Sequence, residues 1–226
     1  MRKKKCWGCR FFNGKNFCRL LGQPLENIND MNSLSKKCDV KNVHERDYHK
    51  RLNKIVKSFA RGNKMLVLGC HPDSEIDSLI KLRKKSTNSL PINFTVIEPD
   101  KRFAKFFRER PHTKVIQTAW EDFKINDFFD CILCLDCIEH SKKPYKILNK
   151  IVNLSNYIIL SCPNGLYYFQ DPHKYQDHGH GPHISHFSRS ELKEFFKLKG
   201  FKVKVRGIRN SWLGPFSFGI FLVAER

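Results

Sequence analysis

Alanine is scarce in this chain, occurring only at positions 60, 104, 119 and 224, while Lys, Asn, Ile and Phe are plentiful. No apolar run approaches the roughly 20 residues that a helix needs to cross a bilayer, which excludes a spanning helix. Behind the basic start MRKKKCWGC there is no apolar stretch of the kind a signal peptide carries, so the expected location is the cytoplasm. Acidic residues are few beside basic ones, 22 against 42, for a formal net charge of +20. Such an excess draws a protein towards polyanions through counterion release, with RNA, DNA and anionic surfaces as candidate partners. A coding bias would produce the same Lys- and Asn-rich, Ala-poor composition. No internal repeat is visible.

What the chain does have is length enough, at 226 residues, for one domain of ordinary size with a small appendage. It also has nine cysteines. Without an export signal these argue for metal ligation or buried thiols rather than a disulfide framework. Residues 1–42 form a segment of different texture, with Cys6, Cys9, Cys18 and Cys38 among Gly, Asn, Pro and aromatic residues and no sustained period. A metal could supply the cohesion that packing cannot. Cys6 and Cys9, in CWGC, have the two-residue spacing that lets two thiolates grip one ion, and Cys18 and Cys38 would complete an S₄ set. Zinc is the simplest occupant and an iron-sulfur cluster the other; thiols on a flexible leader are the bland alternative.

Residues 43–226 read as one α/β domain. An amphipathic helix over Val43 to Ala60 leads into strands expected at 65–70, 92–98, 114–117, 129–136 and 157–161, separated by helices at 73–84, 100–110 and 144–154. Strands alternating with helices imply a parallel sheet covered on both faces, with ligand sites at the carboxyl ends of the strands. A further helix begins at Ser188, where Glu191 completes a capping box, and ends near Gly200. Two β-rich segments, 201–208 and 216–224, look like a terminal antiparallel pair.

The pivot is KMLVLGC, Lys64 to Cys70, where Gly69 ends the first strand and would let a nucleotide-like group approach the turn. Glu98 ends the second strand and is suited to accept both hydroxyls of a ribose. Trp120 and Glu121 follow the third, and Leu135 and Asp136 end the fourth. In CILCLDC a period of two places Cys131 and Cys137 on one face and Cys134 on the other, which speaks against a cluster; with Cys70 and Cys162 they read as small buried residues.

FFDCILCLDCIEHSKKP (128–144), VIEPD (96–100), VIQTAWEDF (115–123), LSCPNG (160–165) and HFSRSELKEFFKLKGF (186–201) stand in an order that resembles class I S-adenosylmethionine-dependent methyltransferases, particularly the type 11 and ubiquinone-biosynthesis-like group. The resemblance covers Met65 to the C-terminus and implies a Rossmann-like seven-stranded sheet with helices on both faces and an antiparallel last strand. It implies that Gly69 lines the methionine part of the cofactor, Glu98 holds the ribose, Trp120 and Glu121 lie near the adenine, and Leu135 and Asp136 close over it. The implied activity is methyl transfer to an unidentified acceptor. The first motif departs from the family's pattern: Val67 stands where an acid is usual, and His71 and Asp73 where glycines are. The alternative is therefore a methyltransferase fold that has lost catalysis and serves as a binding module for nucleic acid or protein.

Alignment supplies most of the acceleration in methyl transfer, up to roughly 7 to 11 kcal/mol. A base is needed only where the acceptor loses a proton. His140, His183 and His186 are the candidates, with His173, His178, His180, Tyr167 and Tyr168 nearby in sequence. The loop DPHKYQDHGHGPHISH admits a metal reading through Asp177, His178, His180 and His183, but its Gly and Pro content favours a lid that sets acceptor specificity.

Overall fold

The structure is a computed structural model that describes residues 17–18, 23–24, 51–69, 75–84, 90–165, 183–209 and 217–226. Two short strands, Phe17–Cys18 (β1) and Gln23–Pro24 (β2), pair antiparallel. Cys6, Cys9 and Cys38 lie outside the described residues, and of Cys18 only the backbone is described, so the cysteine site falls outside as well.

The domain is built on Lys64–Leu68 (β3), Asn93–Ile97 (β4), Thr113–Ile116 (β5), Cys131–Leu135 (β6), Tyr157–Pro163 (β7), Lys202–Arg209 (β8) and Ser217–Glu225 (β9). They form one sheet in the order β5-β4-β3-β6-β7-β9-β8. The pairs among β3 to β7 are parallel, while β9 is antiparallel to both β7 and β8. The terminal pair expected from the sequence is present, with its second strand inserted between β7 and the first. Because β3 pairs with both β4 and β6, the chain reverses its direction of winding there, which opens a crevice at the carboxyl edge.

The inner strands β3, β6 and β7 are buried on both sides because both sides are covered. One layer joins Leu66, Leu68, Ile132, Cys134, Ile158 and Leu160 to residues of the helices Pro144–Ile151 (α4) and Arg189–Leu198 (α5). The other joins Met65, Val67, Leu133 and Ile159 to residues of the helix over 51–59 (α1), of Glu75–Lys84 (α2) and of Lys101–Arg108 (α3). The start of α5 is as expected: Glu191 N–H donates to Ser188 Oγ at 3.2 Å, and Glu191 Oε2 accepts from Ser188 N–H. Among the described residues no helix is long and apolar enough to cross a membrane.

One face assignment needs correction. Cys131 belongs to one layer, but Cys137 joins Cys134 in the other, their sulfurs 3.3 Å apart. The strand stops at Leu135, and Asp136 turns the chain at φ 45°, so the period of two no longer applies at 137.

Candidate functional site

Gly69 leaves β3 at φ 63°, a left-handed conformation that glycine adopts without cost. A Cβ there would lie 2.4 Å from the Leu135 carbonyl oxygen and 2.4 Å from Cys137 Cβ. The residue is thus required by the end of the neighbouring strand, a reason the sequence did not reveal. Val67, two positions earlier, is wholly buried in the apolar layer that carries α1 to α3.

Glu98 follows β4 and is 4% exposed. One carboxylate oxygen accepts from Asp100 N–H at 2.8 Å. Burial pushes its pKa from 4.5 up to about 7; that hydrogen bond opposes the rise and the Asp100 charge adds to it. Asp100 itself caps α3, accepting from Arg102 N–H at 2.7 Å, and hydrogen bonds from Arg102 hold its carboxyl down at about 2. Trp120 is fixed beside this corner, its indole N–H donating to the Ile97 carbonyl at 3.0 Å.

The segment after β6 is tied down from several directions. Asp136 N–H donates to the Ser161 carbonyl at 3.0 Å, and the Ser161 hydroxyl donates to the Asp136 carboxylate at 2.9 Å. Leu135 places its side chain in the core and its carbonyl against Gly69. A single 3-10 turn, Ile138–His140, then brings the chain to Ser141, whose hydroxyl donates to Glu121. Glu121 and the turn are therefore linked directly.

The stretch returning from the histidine-rich loop is attached to the same turn. Ile184 and Ser185 N–H donate to the Glu139 carbonyl at 2.8 and 2.9 Å, and the Ser185 hydroxyl donates to the Ser141 carbonyl at 2.8 Å. Its far end is held just beyond β7, where Gly165 N–H donates to the Phe187 carbonyl at 2.8 Å. This brings the rings of His140 and His183 to 4.7 Å between centroids, at 69°. Trp120 stands 6.5 Å from His140. His186 is exposed and lies outside this group.

Glu139, in the stretch CIEH, is the member of this group not among the candidates of the sequence. Its side chain is 1% exposed, and Oε2 has no hydrogen-bond partner among the described residues. Burial drives its pKa well above the carboxylate range, and the charge of Asp136 adds to the effect. Glu139, His140 and His183 each present one ligand atom within 4.8 Å of the others. The signal in the sequence was a lone acid directly after a buried strand and directly before a histidine. Tyr167, Tyr168, His173, Asp177, His178 and His180, like Cys70, His71 and Asp73, lie outside the described residues.

The family profile described as "Methyltransferase domain" matches residues 41–204. No curated protein matches the chain in sequence. Several solved structures share its fold at low identity. A chain in a complex of the Haloferax volcanii Trm112 methyltransferase activator has a TM-score of 0.61 at 13% identity, covering 85% of this chain and 95% of its own. The plantazolicin methyltransferase BpumL, in complex with SAH, has a TM-score of 0.60 at 12% identity, covering 89% and 92%. The small RNA methyltransferase HEN1 has a TM-score of 0.58 at 14% identity, with 80% of this chain matching 25% of that one.

Proposed function

The chain belongs to the methyltransferase-domain family, and from that premise we propose that it transfers a methyl group from S-adenosylmethionine to an acceptor bound beside the His183 segment. The observation that carries this reading is Glu98, a buried carboxyl at the end of β4, across the switch point from Gly69. One of its oxygens is occupied by Asp100 N–H, which orients the carboxylate without satisfying it fully. A buried acid so oriented suits two ribose hydroxyls, whose donation would favour its charged form. In this reading Gly69 keeps the turn clear beside the methionine portion and Asp136 borders it. Leu135 supplies the backbone wall, and Trp120 and Glu121 flank the adenine.

The bound cofactor supplies a sulfonium methyl that is already electrophilic, so the chain's task is alignment. His140 and His183, from two elements joined through Glu139 and Ser141, would take a proton from an acceptor hydroxyl or amine in this reading; exposed His186 is the more remote candidate. RNA is the acceptor class to test first. The net charge of +20 supports it, as do Lys142 and Lys143, exposed next to the 3-10 turn. Residues 1–42 we assign to a separate cysteine-rich leader holding zinc, or an iron-sulfur cluster, through Cys6, Cys9, Cys18 and Cys38.

A second reading has an observation of its own. Val67 in the apolar layer leaves no acid where relatives present one to the cofactor's amino group, which favours a fold retained for binding alone. Calorimetric titration with S-adenosylmethionine and S-adenosylhomocysteine separates the two. Micromolar binding lost in Glu98→Ala supports the enzyme; a folded protein that binds neither at millimolar concentration supports the binding module.

A further inference from the structure

Glu139 poses a problem that the methyl-transfer reading leaves unsolved. A carboxyl 1% exposed, with one oxygen lacking any hydrogen-bond partner among the described residues, is costly wherever it sits. Asp136, whose charge bears on it, is itself acidic. Two imidazoles stand beside it instead. His140 follows it in the 3-10 turn, and His183 is carried in by the segment whose Ile184 and Ser185 amides bind the Glu139 carbonyl.

We propose that Glu139, His140 and His183 form a binding site for one divalent transition-metal cation. The three ligand atoms lie within 4.8 Å of one another. Ligands about 2.1 Å from a common ion stand about 3 to 3.5 Å apart, so side-chain rotations of about 1 Å close the set. Two nitrogen ligands and one carboxylate oxygen suit Mn, Fe, Co or Zn, whereas Mg and Ca favour all-oxygen sets. Three protein ligands leave further positions open, as in sites where an ion meets a substrate. An ion here would satisfy the buried carboxylate and fasten the returning end of the histidine-rich loop to the carboxyl edge of the sheet. The proposal concerns the same crevice as the methyl-transfer reading but does not depend on it, since the ion can bind whether or not the cofactor does; with the ion bound, the His140 and His183 lone pairs are taken, so their role as proton acceptors belongs to the metal-free site.

The test is cobalt(II) titration of the full chain carrying Cys6→Ser, Cys9→Ser, Cys18→Ser and Cys38→Ser, which removes the leader's thiolates. The expected result is one bound equivalent with weak visible bands and no intense thiolate charge-transfer band. Glu139→Gln and His183→Ala should each weaken binding at least tenfold, with their fold checked by thermal melting. Glu139→Gln keeps the side-chain volume; if it nevertheless fails to fold, the partly exposed His183 supplies the decision. No cobalt binding at millimolar metal in a folded protein overturns the proposal, and so does binding that His183→Ala leaves unchanged. Titration with S-adenosylmethionine in the same preparations reports separately on the cofactor reading.

Discussion

Gly69 and Leu135 meet where two parallel strands end: a Cβ on the glycine would lie 2.4 Å from the leucine carbonyl oxygen. At φ 63° any other residue would also meet conformational strain of about 1 to 2 kcal/mol. Gly69→Ala should therefore destabilise the domain well beyond that strain, because neither the carbonyl nor Cys137 Cβ belongs to a flexible side-chain end. Gly200 is the control. Its φ is 83°, but the nearest atom to an added Cβ is Arg226 Cδ at 4.0 Å. Urea unfolding should show Gly200→Ala losing only about 1 to 2 kcal/mol, and equal losses at both sites would contradict the packing argument.

Glu98 couples stability and cofactor affinity to pH. Its pKa rises from 4.5 to about 7 on folding, so between those values the native state holds a proton that the unfolded chain has released. Stability should fall as pH climbs through that window and level off above it. Glu98→Gln should lose this slope and gain up to about 3 kcal/mol at pH 8 without ligand. If the carboxylate accepts ribose hydroxyls, S-adenosylhomocysteine affinity should instead rise with pH through about 7, with proton uptake by buffer on binding. A flat affinity profile would remove Glu98 from the site.

The α5 capping box should behave as a local feature. Ser188→Ala removes the acceptor of Glu191 N–H and should cost about 1 kcal/mol, measurable as a shifted urea midpoint with an unchanged slope. Cofactor affinity should stay as it is.

Cys131, Cys134, Cys137 and Cys162 are buried, and burial drives the thiols of Cys131, Cys137 and Cys162 to higher pKa, about 12 for Cys131. All four should resist alkylation in the native protein at pH 8 and react on denaturation, as followed by mass spectrometry. Modification of Cys134 or Cys137 in the native state would show that the edge near Gly69 opens.

Much of the fold could be read from the chain alone, because alternation of apolar runs with helical periods and the Ser188 capping box are local signals. Glu98 could be found in the same way, as an acid directly after a buried run. The order of strands could not: β9 lies between β7 and β8 through pairing with β7, a contact distant in sequence. Nor could the face of Cys137, which one residue at positive φ, Asp136, reversed. His183 belongs in sequence to the histidine-rich loop, yet its ligand atom lies with those of Glu139 and His140. Local periodicity determined which segments would be buried. Only tertiary packing, through backbone hydrogen bonds between distant segments, decided which chemical groups would face one another.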